Sequence, residues 1–547
     1  MTAHGSDRPR SALGAWAYPF VLLTGGVTSL FGLSYLFDRA LNPGGPGLVR
    51  LLFHPDPASG LQTLSNLGEV GAAVLGVAIT VVSIVVELAS NRYTHRITEL
   101  FIKDPVNFLV SGLFVVSALM GILQSLLYES SFTPYVGTTV SVVLMTLSLL
   151  ALLPYFAYVF HFVSPLNIVD RMRRHTLSVV REPMQRGIAS SQIEAVRGVE
   201  QLADVAVNAM ENRDKGISMA SVEALRMLGV DYQLIAHTLP KEWFEVRSFL
   251  AHNPDFVSMT PESLEDISHR RVWVEMKILR QYQMIYNAAL NRMRDINYLV
   301  AINTRLLGES AHTERDDEVH HVVVKFFNTY LRATVNAHDV RTAYNVLNQY
   351  RLLAEGELRR GRGDRAVVIA NHFVYYGQLA FGAKLPFILE TVAYDLCALN
   401  ELAYEVGSSS RGPLLRAFLQ VDKEGEHEVQ EAALRGVRKA QVKLATYYLM
   451  RGDERAAREV FEDMRGERPE RLGSIRDEML GVESKDFWEV IDRGENFDYL
   501  SPEQKRYLLA FFDWFPDLAP PRASVVLPAE ASMETTRSDP GPQSASS

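Results

Sequence analysis

Four long apolar segments lie before Pro165, and they constrain the fold more than any other feature of the chain. A helix needs about 20 mostly apolar residues to cross a hydrocarbon core of about 30 Å, and each segment meets that length. The sequence therefore predicts a four-helix transmembrane domain over residues 16–165. The predicted spans are Trp16 to Phe37, Leu67 to Ala89, Phe108 to Leu127 and Val136 to Val163.

The basic residues beside these segments predict the orientation, because cationic flanks are retained on the cytoplasmic side. The loop between the third and fourth segments, residues 128–135, has no Lys or Arg. The loop between the first and second, residues 38–66, has two arginines and two aspartates. We therefore predict that both termini are cytoplasmic, including residues 1–15. The basic flanks contain Arg8 and Arg10, then Arg92, Arg96 and Lys103 as interfacial residues, then Arg171, Arg173, Arg174 and Arg181.

The rest of the chain is rich in charged residues and has no comparable apolar run. From Leu166 to Leu518, small and apolar residues recur at spacings of three and four, which is typical of helices. Glu431 to Met464 has two such segments around an Arg-Gly-Asp turn, a pattern that resembles a tetratricopeptide unit. No strict repeat extends further, so we predict an irregular α-solenoid over residues 166–518, with a helical bundle as the alternative.

The predicted fold class is all-α, and composition excludes some functions. The net charge of −9 gives no basis for nucleic-acid binding. The single cysteine, Cys397, excludes an intramolecular disulfide and suits a reducing cytosol. Residues 519–547 are rich in Pro, Ser and Ala, which predicts a disordered tail.

The second segment carries a carboxylate, Glu87, near its end. Residues three or four apart share one face of a helix, because each residue turns the helix by about 100°. Glu69 lies close to the face that contains Glu87, and the opposite face is apolar. Six small residues share the face with Glu87: Gly68, Ala72, Gly76, Thr80, Ser83 and Ser90.

Two interpretations of this face are open. Small residues allow helix backbones to approach closely in lipid, which favours a packing face. An ionisable residue inside a span costs about 2.5–3.5 kcal/mol and usually faces a cavity, a partner or the interface, which favours a water-lined pathway. Glu87 is then either an interfacial residue near Arg92 or the inner mouth of a pore.

The stretch from Val77 to Gly121 resembles a widespread family of uncharacterised bacterial proteins, predicted membrane proteins with N-terminal spans followed by a cytosolic helical region. The matching elements are Ser83 in an apolar run, the Ala89-Ser90 pair, the exit from Tyr93 to Arg96, and an immediate turn into the next span. The resemblance implies a multi-pass protein of the bacterial inner membrane. It implies no activity, because none is established for the family.

No short catalytic motif is present: the sequence has no GxxxxGK[ST] loop, HExxH helix, GxSxG elbow or cysteine-based metal pattern. We therefore expect no enzymatic activity, cofactor or metal. The densest polar cluster, His312 to His321, offers four candidate metal ligands, but we favour a solvated loop and an acidic helix start as its explanation. The four are Asp316, Asp317, His320 and His321. The aromatic residues Phe373, Tyr375 and Tyr376 indicate repeat core, with a peptide-binding groove as the alternative.

Two functions remain. A homo-oligomeric channel-like or transport-related protein would use the face containing Glu87 and a cytosolic helical regulatory domain. A membrane-anchored scaffold would instead bind a cytosolic protein partner on the helical array. Four spans with a structured face are more than an anchor requires, so the sequence favours the channel-like function.

Overall fold

The computed structural model describes residues 12–41, 57–92, 98, 101–102, 104–127, 134–310, 316–422, 431–486, 493–494, 496–518 and 520. Helices dominate these ranges, which contain no β-strand, and the predicted all-α class is confirmed. The predicted N-terminal segment before residue 12, the tail beyond residue 520, and the basic residues Arg96 and Lys103 lie outside the described residues.

Four helices cover the predicted spans: α1 (Ala12–Leu41), α2 (Pro57–Arg92), α3 (Pro105–Ser125) and α4 (Tyr135–Val163). Three helices are long and apolar enough to cross a membrane among the described residues: Leu64–Ser90 within α2, then α3 and α4. The helix α1 packs against α3 and α4. A membrane protein with apolar helices is thus supported, and the count of four spans stays a prediction.

The chain divides into two compact units. The first runs to Trp243 and includes Arg247–Asn253, so three polar-surfaced helices group with the apolar ones: α5 (Pro165–Arg181), α6 (Ile188–Glu211) and α7 (Lys215–Ala236). These three pack on one another, and α5 also packs on α4. The predicted boundary at residue 166 was meant to separate the membrane domain from the cytosolic domain. The division between the two compact units lies further along the chain, near Trp243.

The second unit comprises Phe244–Val246 and the chain from Pro254. Its helices are α8 (Pro261–Arg270), α9 (Trp273–Ala289), α10 (Arg294–Glu309), α11 (Asp316–Asn336), α12 (Val340–Arg359), α13 (Gly363–Gly382), α14 (Pro386–Glu405), α15 (Arg411–Phe418), α16 (Glu431–Met450), α17 (Glu454–Met464), α18 (Pro469–Gly481) and α19 (Pro502–Phe512).

Helices of the second unit pack in two layers. In one layer α10, α12, α14 and α16 contact in succession, and in the other α9, α11, α13 and α15 do so. Adjacent helices of the chain also contact across the layers. Stacked aromatic rings fill the space between them, as between Phe327 and Tyr350, whose centroids are 4.7 Å apart. The unit therefore has a continuous core along its length.

The predicted helical hairpin at Glu431 to Met464 is present as α16 and α17. Gly452 in its turn has φ +78°, a left-handed conformation that glycine adopts without steric cost. The Asp453 side chain then accepts a hydrogen bond from the Ala456 N–H (3.1 Å) and caps α17. The Arg-Gly-Asp sequence thus ends one helix and starts the next.

Candidate functional site

The inward side of α2 packs against α3 and α4. Glycines allow this approach: a Cβ added to Gly121 of α3 would lie 3.6 Å from the Gly68 nitrogen, and one added to Gly71 would lie 2.7 Å from Met145 Cε of α4. The side that the bundle buries therefore combines glycines with aliphatic residues. It consists of Leu64, Gly68, Gly71, Ala78, Val82, Val86 and Ala89.

The face predicted around Glu87 points mainly away from the bundle. Of its seven residues, Gly68 and Ser90 are buried, and the other five are exposed: Ala72, Gly76, Thr80, Ser83 and Glu87. Within the described ranges, and apart from the nearby backbone of α2 itself, no atom lies within 4 Å of a Cβ added to Gly76. The Thr80 hydroxyl donates to the Gly76 carbonyl of its own helix (2.8 Å). The five therefore form an open surface on α2 and are not part of the packing inside the bundle.

Glu69 extends this surface toward the other end of the helix. It is exposed, and eighteen residues separate it from Glu87. Eighteen residues make five full turns and about 27 Å of helix, so the two carboxylates lie on the same line of α2, near opposite ends of a bilayer core of about 30 Å. We call Glu69, Ala72, Gly76, Thr80, Ser83 and Glu87 the outward stripe.

The other exposed surfaces of the apolar helices differ from the outward stripe. On α3 and α4 they carry large aliphatic and aromatic side chains such as Leu109, Leu150, Leu153 and Phe160, which suit lipid. None of the six residues of the outward stripe is a large apolar one, although exposed Val70, Ile84 and Leu88 lie beside it on α2. A surface of this composition is poorly matched to acyl chains and well matched to another polypeptide or to water.

A buried carboxylate joins α1 to the start of α4, and the sequence reasoning did not identify it. Asp38, 3% exposed, accepts hydrogen bonds from the backbone N–H groups of Val136 (2.7 Å) and Gly137 (2.9 Å). A carboxylate is favoured there because the first amides of a helix have no partner within the helix and carry positive partial charge. The residue before α4 is Pro134, whose side chain cannot cap the helix. This proline was the feature of the sequence that could have indicated a cap from another segment.

A polar pair adjoins this cap. The buried Gln124 amide of α3 donates to the Ser34 hydroxyl of α1 (2.8 Å). A Cβ at Gly137 would lie 2.3 Å from Gln124 Oε1, so a larger residue at this position would displace the Gln124 amide. Side chains from α1 and α3 and the backbone of α4 therefore meet at this end of the bundle.

The opposite end of the bundle is tied to α5. Tyr155 of α4 donates a hydrogen bond to Asn107 Oδ1 of α3 (2.6 Å). Asp104 caps α3 through the Val106 N–H (2.9 Å) and pairs with Arg171 of α5 (3.3 Å). Arg171, one of the predicted basic flanking residues, is thus held by an ion pair with Asp104. The Arg92 side chain lies outside the described residues.

The candidate metal ligands lie at the start of α11. Asp317 forms an ion pair with Arg365 of α13, His320 is buried, and His321 is exposed. The structure places Asp316 at the first helical position. In the described ranges no three His, Cys, Asp or Glu side chains are arranged to hold a metal ion.

The aromatic trio of α13 is divided between core and surface. Phe373 and Tyr376 are buried, and the Phe373 ring packs edge-on against Tyr350 (5.3 Å between centroids). Tyr375 is 48% exposed, and its hydroxyl accepts a hydrogen bond from Arg332 (2.7 Å). The interpretation as core therefore holds for two of the three residues.

Apolar helices of spanning length, a tightly packed bundle and a separate helical unit together define a helical membrane protein. Residues 14–221 match the family model described as predicted membrane protein (DUF2254). This segment, less than half of the chain, is similar to that uncharacterised family and covers α1 to α6 and the start of α7, well beyond Val77 to Gly121. No curated protein and no solved structure matches the chain.

Proposed function

We propose that the protein is a homo-oligomeric, channel-like membrane protein in which outward stripes from several copies face one another and border a path for cations. The observation that carries the proposal is the exposure of Glu69 and Glu87 on one line of α2. Facing copies would remove both carboxylates from contact with acyl chains, which disfavour an ionised side chain.

Packing inside one copy supports a path between copies. Large side chains fill the centre of the bundle, where Phe114, Met120 and Met145 are each at most 2% exposed. Small residues on the outward stripe, above all Gly76, leave room for an approaching helix or for water. Carboxylates from several copies would form a ring near each end of the path, and such rings concentrate cations.

We place the protein in a bacterial inner membrane. Both termini lie on the cytoplasmic side, as the basic flanks predict. The flank after α4 is partly neutralised, because Arg173 and Arg174 both pair with Asp170 and Arg173 also pairs with Asp231. Arg171, beside the bundle, is paired with Asp104. The prediction therefore rests on the positions of the Lys and Arg residues and not on the net charge of the flank. We assign the two-layered array of the second unit as an irregular α-solenoid, tetratricopeptide-like in its hairpins, with a regulatory role.

A scaffold function is the second candidate, and one surface favours it. An open groove on α11 and α13 combines apolar and polar side chains, including Val335, His338, Tyr375 and Leu379. Tyr375 is an exposed aromatic residue of the kind that anchors protein partners. The scaffold would need the apolar helices only as an anchor and gives no reason for the outward stripe.

Current through planar bilayers containing the purified full-length protein tests the channel-like function. Wild type should conduct cations in preference to anions, and Glu87→Gln should reduce this preference because it removes one charged ring. Glu265→Gln is the control, because Glu265 is an exposed carboxylate on α8, outside the stripe. Absence of current in wild type under all voltages and ionic gradients, or the same selectivity in Glu87→Gln, would contradict the proposal.

A further inference from the structure

A cavity of about 290 Å³ lies among α8, α9 and α11 in the second unit. Its floor is apolar and contains Ile267, Met276, Val322 and Phe326. Ligand cavities in proteins begin at about 300 Å³, so the space suits a small organic molecule. The apolar floor would receive an aromatic or aliphatic body.

Cationic side chains surround the mouth of this cavity. Arg270 is held in place by Asp266 (2.7 Å) and Glu318 (2.8 Å), so two carboxylates already offset its charge. Arg280 and Lys325 also line the cavity, and within the described ranges neither has a carboxylate partner. Three cations therefore stand against two carboxylates, and Asp266 also interacts electrostatically with Lys325, so this cluster has a net charge of +1.

The Arg280 guanidinium is only partly satisfied. Its Nη1 contacts Gln283 Oε1 at 3.3 Å, and its Nε is buried without a hydrogen-bond partner. The Nη2 group has no hydrogen-bond partner among the described residues, so it can donate to an anionic oxygen at the mouth. His321 lies beside this mouth, and partial desolvation of its ring, followed by Lys325 and Arg270, lowers its pKa, so it is neutral near pH 7.

We propose that this cavity binds a small phosphate monoester with an apolar body. A phosphate monoester carries a charge of about −1.5 to −2 at pH 7, opposite in sign to the net charge of the mouth, and it offers oxygens to both Arg280 and Lys325. The planar Arg280 fork and the Lys325 ammonium would hold the phosphate oxygens at the mouth. The hydrocarbon part would lie on Ile267, Met276 and Phe326. The site is independent of the proposed conduction.

Isothermal titration of the detergent-purified full chain with 1-naphthyl phosphate tests the proposal, with inorganic phosphate and 1-naphthol as partial probes. Wild type should bind one naphthyl phosphate per chain and bind each partial probe at least about tenfold more weakly, because each lacks one of the two interactions. Lys325→Gln and Arg280→Gln should each weaken binding about tenfold or more. Arg455→Gln is the matched control, because Arg455 is 92% exposed on α17 and does not line the cavity.

A second variant tests the cavity without changing charge. Ser263 is exposed at the cavity wall, and Ser263→Trp should fill the space and abolish binding while the circular dichroism melt stays that of wild type. No saturable binding to wild type, equal affinity for inorganic phosphate, or an equal loss in Arg455→Gln would overturn the proposal. Unchanged binding in Ser263→Trp would overturn it as well.

Discussion

Removal of the Asp38 carboxylate should destabilise the first compact unit. Asp38→Ala leaves the Val136 and Gly137 N–H groups without their acceptor. An unpaired buried donor costs about 1–3 kcal/mol, so two of them correspond to about 3 kcal/mol after partial relaxation. For a unit of this size that loss lowers the melting temperature by about 6–12 °C. Asp38→Asn retains one acceptor oxygen and should cost about half as much.

Thiol reactivity during heating measures this unfolding inside the bundle. Cys397, the single cysteine, is replaced by serine, and Ser148 of α4, which is fully buried, is replaced by cysteine as the reporter. A thiol-reactive dye then labels the chain as the bundle opens. Arg39→Gln is the control, since Arg39 is exposed and its Nη1 makes only a long contact with the Tyr35 hydroxyl (3.4 Å). A decrease below about 2 °C in Asp38→Ala would refute the role of this cap.

The remaining predictions concern packing and pH. Gly137→Ala should lower the melting temperature of the bundle because its Cβ collides with Gln124, and Gln124→Ala should restore part of the loss; failure of this rescue would contradict the contact. Burial raises the pKa of Glu390 from its usual 4.5, so the folded state holds this proton more tightly than the unfolded state, and stability is lost as pH rises through the folded pKa. Glu390→Gln should therefore raise the melting temperature at pH 8 and change it little at pH 4, and a uniform shift would exclude this linkage. Burial alone would raise the pKa of Glu478, but hydrogen bonds, led by the one from Lys439, lower this pKa below its usual 4.5. The ionised Glu478 therefore stabilises the folded state, and this stabilisation is lost as pH falls below 4.5. Glu478→Gln should be destabilising at pH 7 and neutral at pH 3, as pH-dependent circular dichroism melts would show.

The four apolar helices were predictable to within a few residues at most ends, because length and hydropathy act locally. The side of α2 that meets the bundle was harder to assign. Small residues occur on two faces of α2, and only the positions of Gly121 and Met145 on other helices select Gly68 and Gly71 for close packing. The sequence therefore placed five of the six residues of the outward stripe on one face, with Glu69 close by, but it also placed the buried Gly68 and Ser90 there and left the direction of the face open.

Sites built from distant segments were outside the reach of the sequence. Asp38 caps a helix that begins 97 residues later, at Tyr135, and nothing in its neighbourhood specifies that partner. The cavity likewise combines Arg280 of α9 with Lys325 of α11, two cations whose spacing follows no motif. By contrast, the α16–α17 hairpin was predictable, because Gly452 and Asp453 determine the turn through their own backbone and side chain.

Cross-linking through the outward stripe tests the central claim most directly. In a Cys397→Ser background, Thr80→Cys places one thiol on the stripe, and Leu150→Cys places one on an exposed apolar position of α4 as the control. A disulfide needs two Cα atoms about 4.4–6.8 Å apart, which is too close for thiols on opposite sides of an open path. A bifunctional maleimide with a flexible spacer can bridge such thiols, so facing copies of α2 should yield a covalent dimer of Thr80→Cys on treatment with this reagent in membranes. The account predicts dimer for Thr80→Cys and monomer for Leu150→Cys. Monomer for Thr80→Cys, or equal dimer for both, would contradict it.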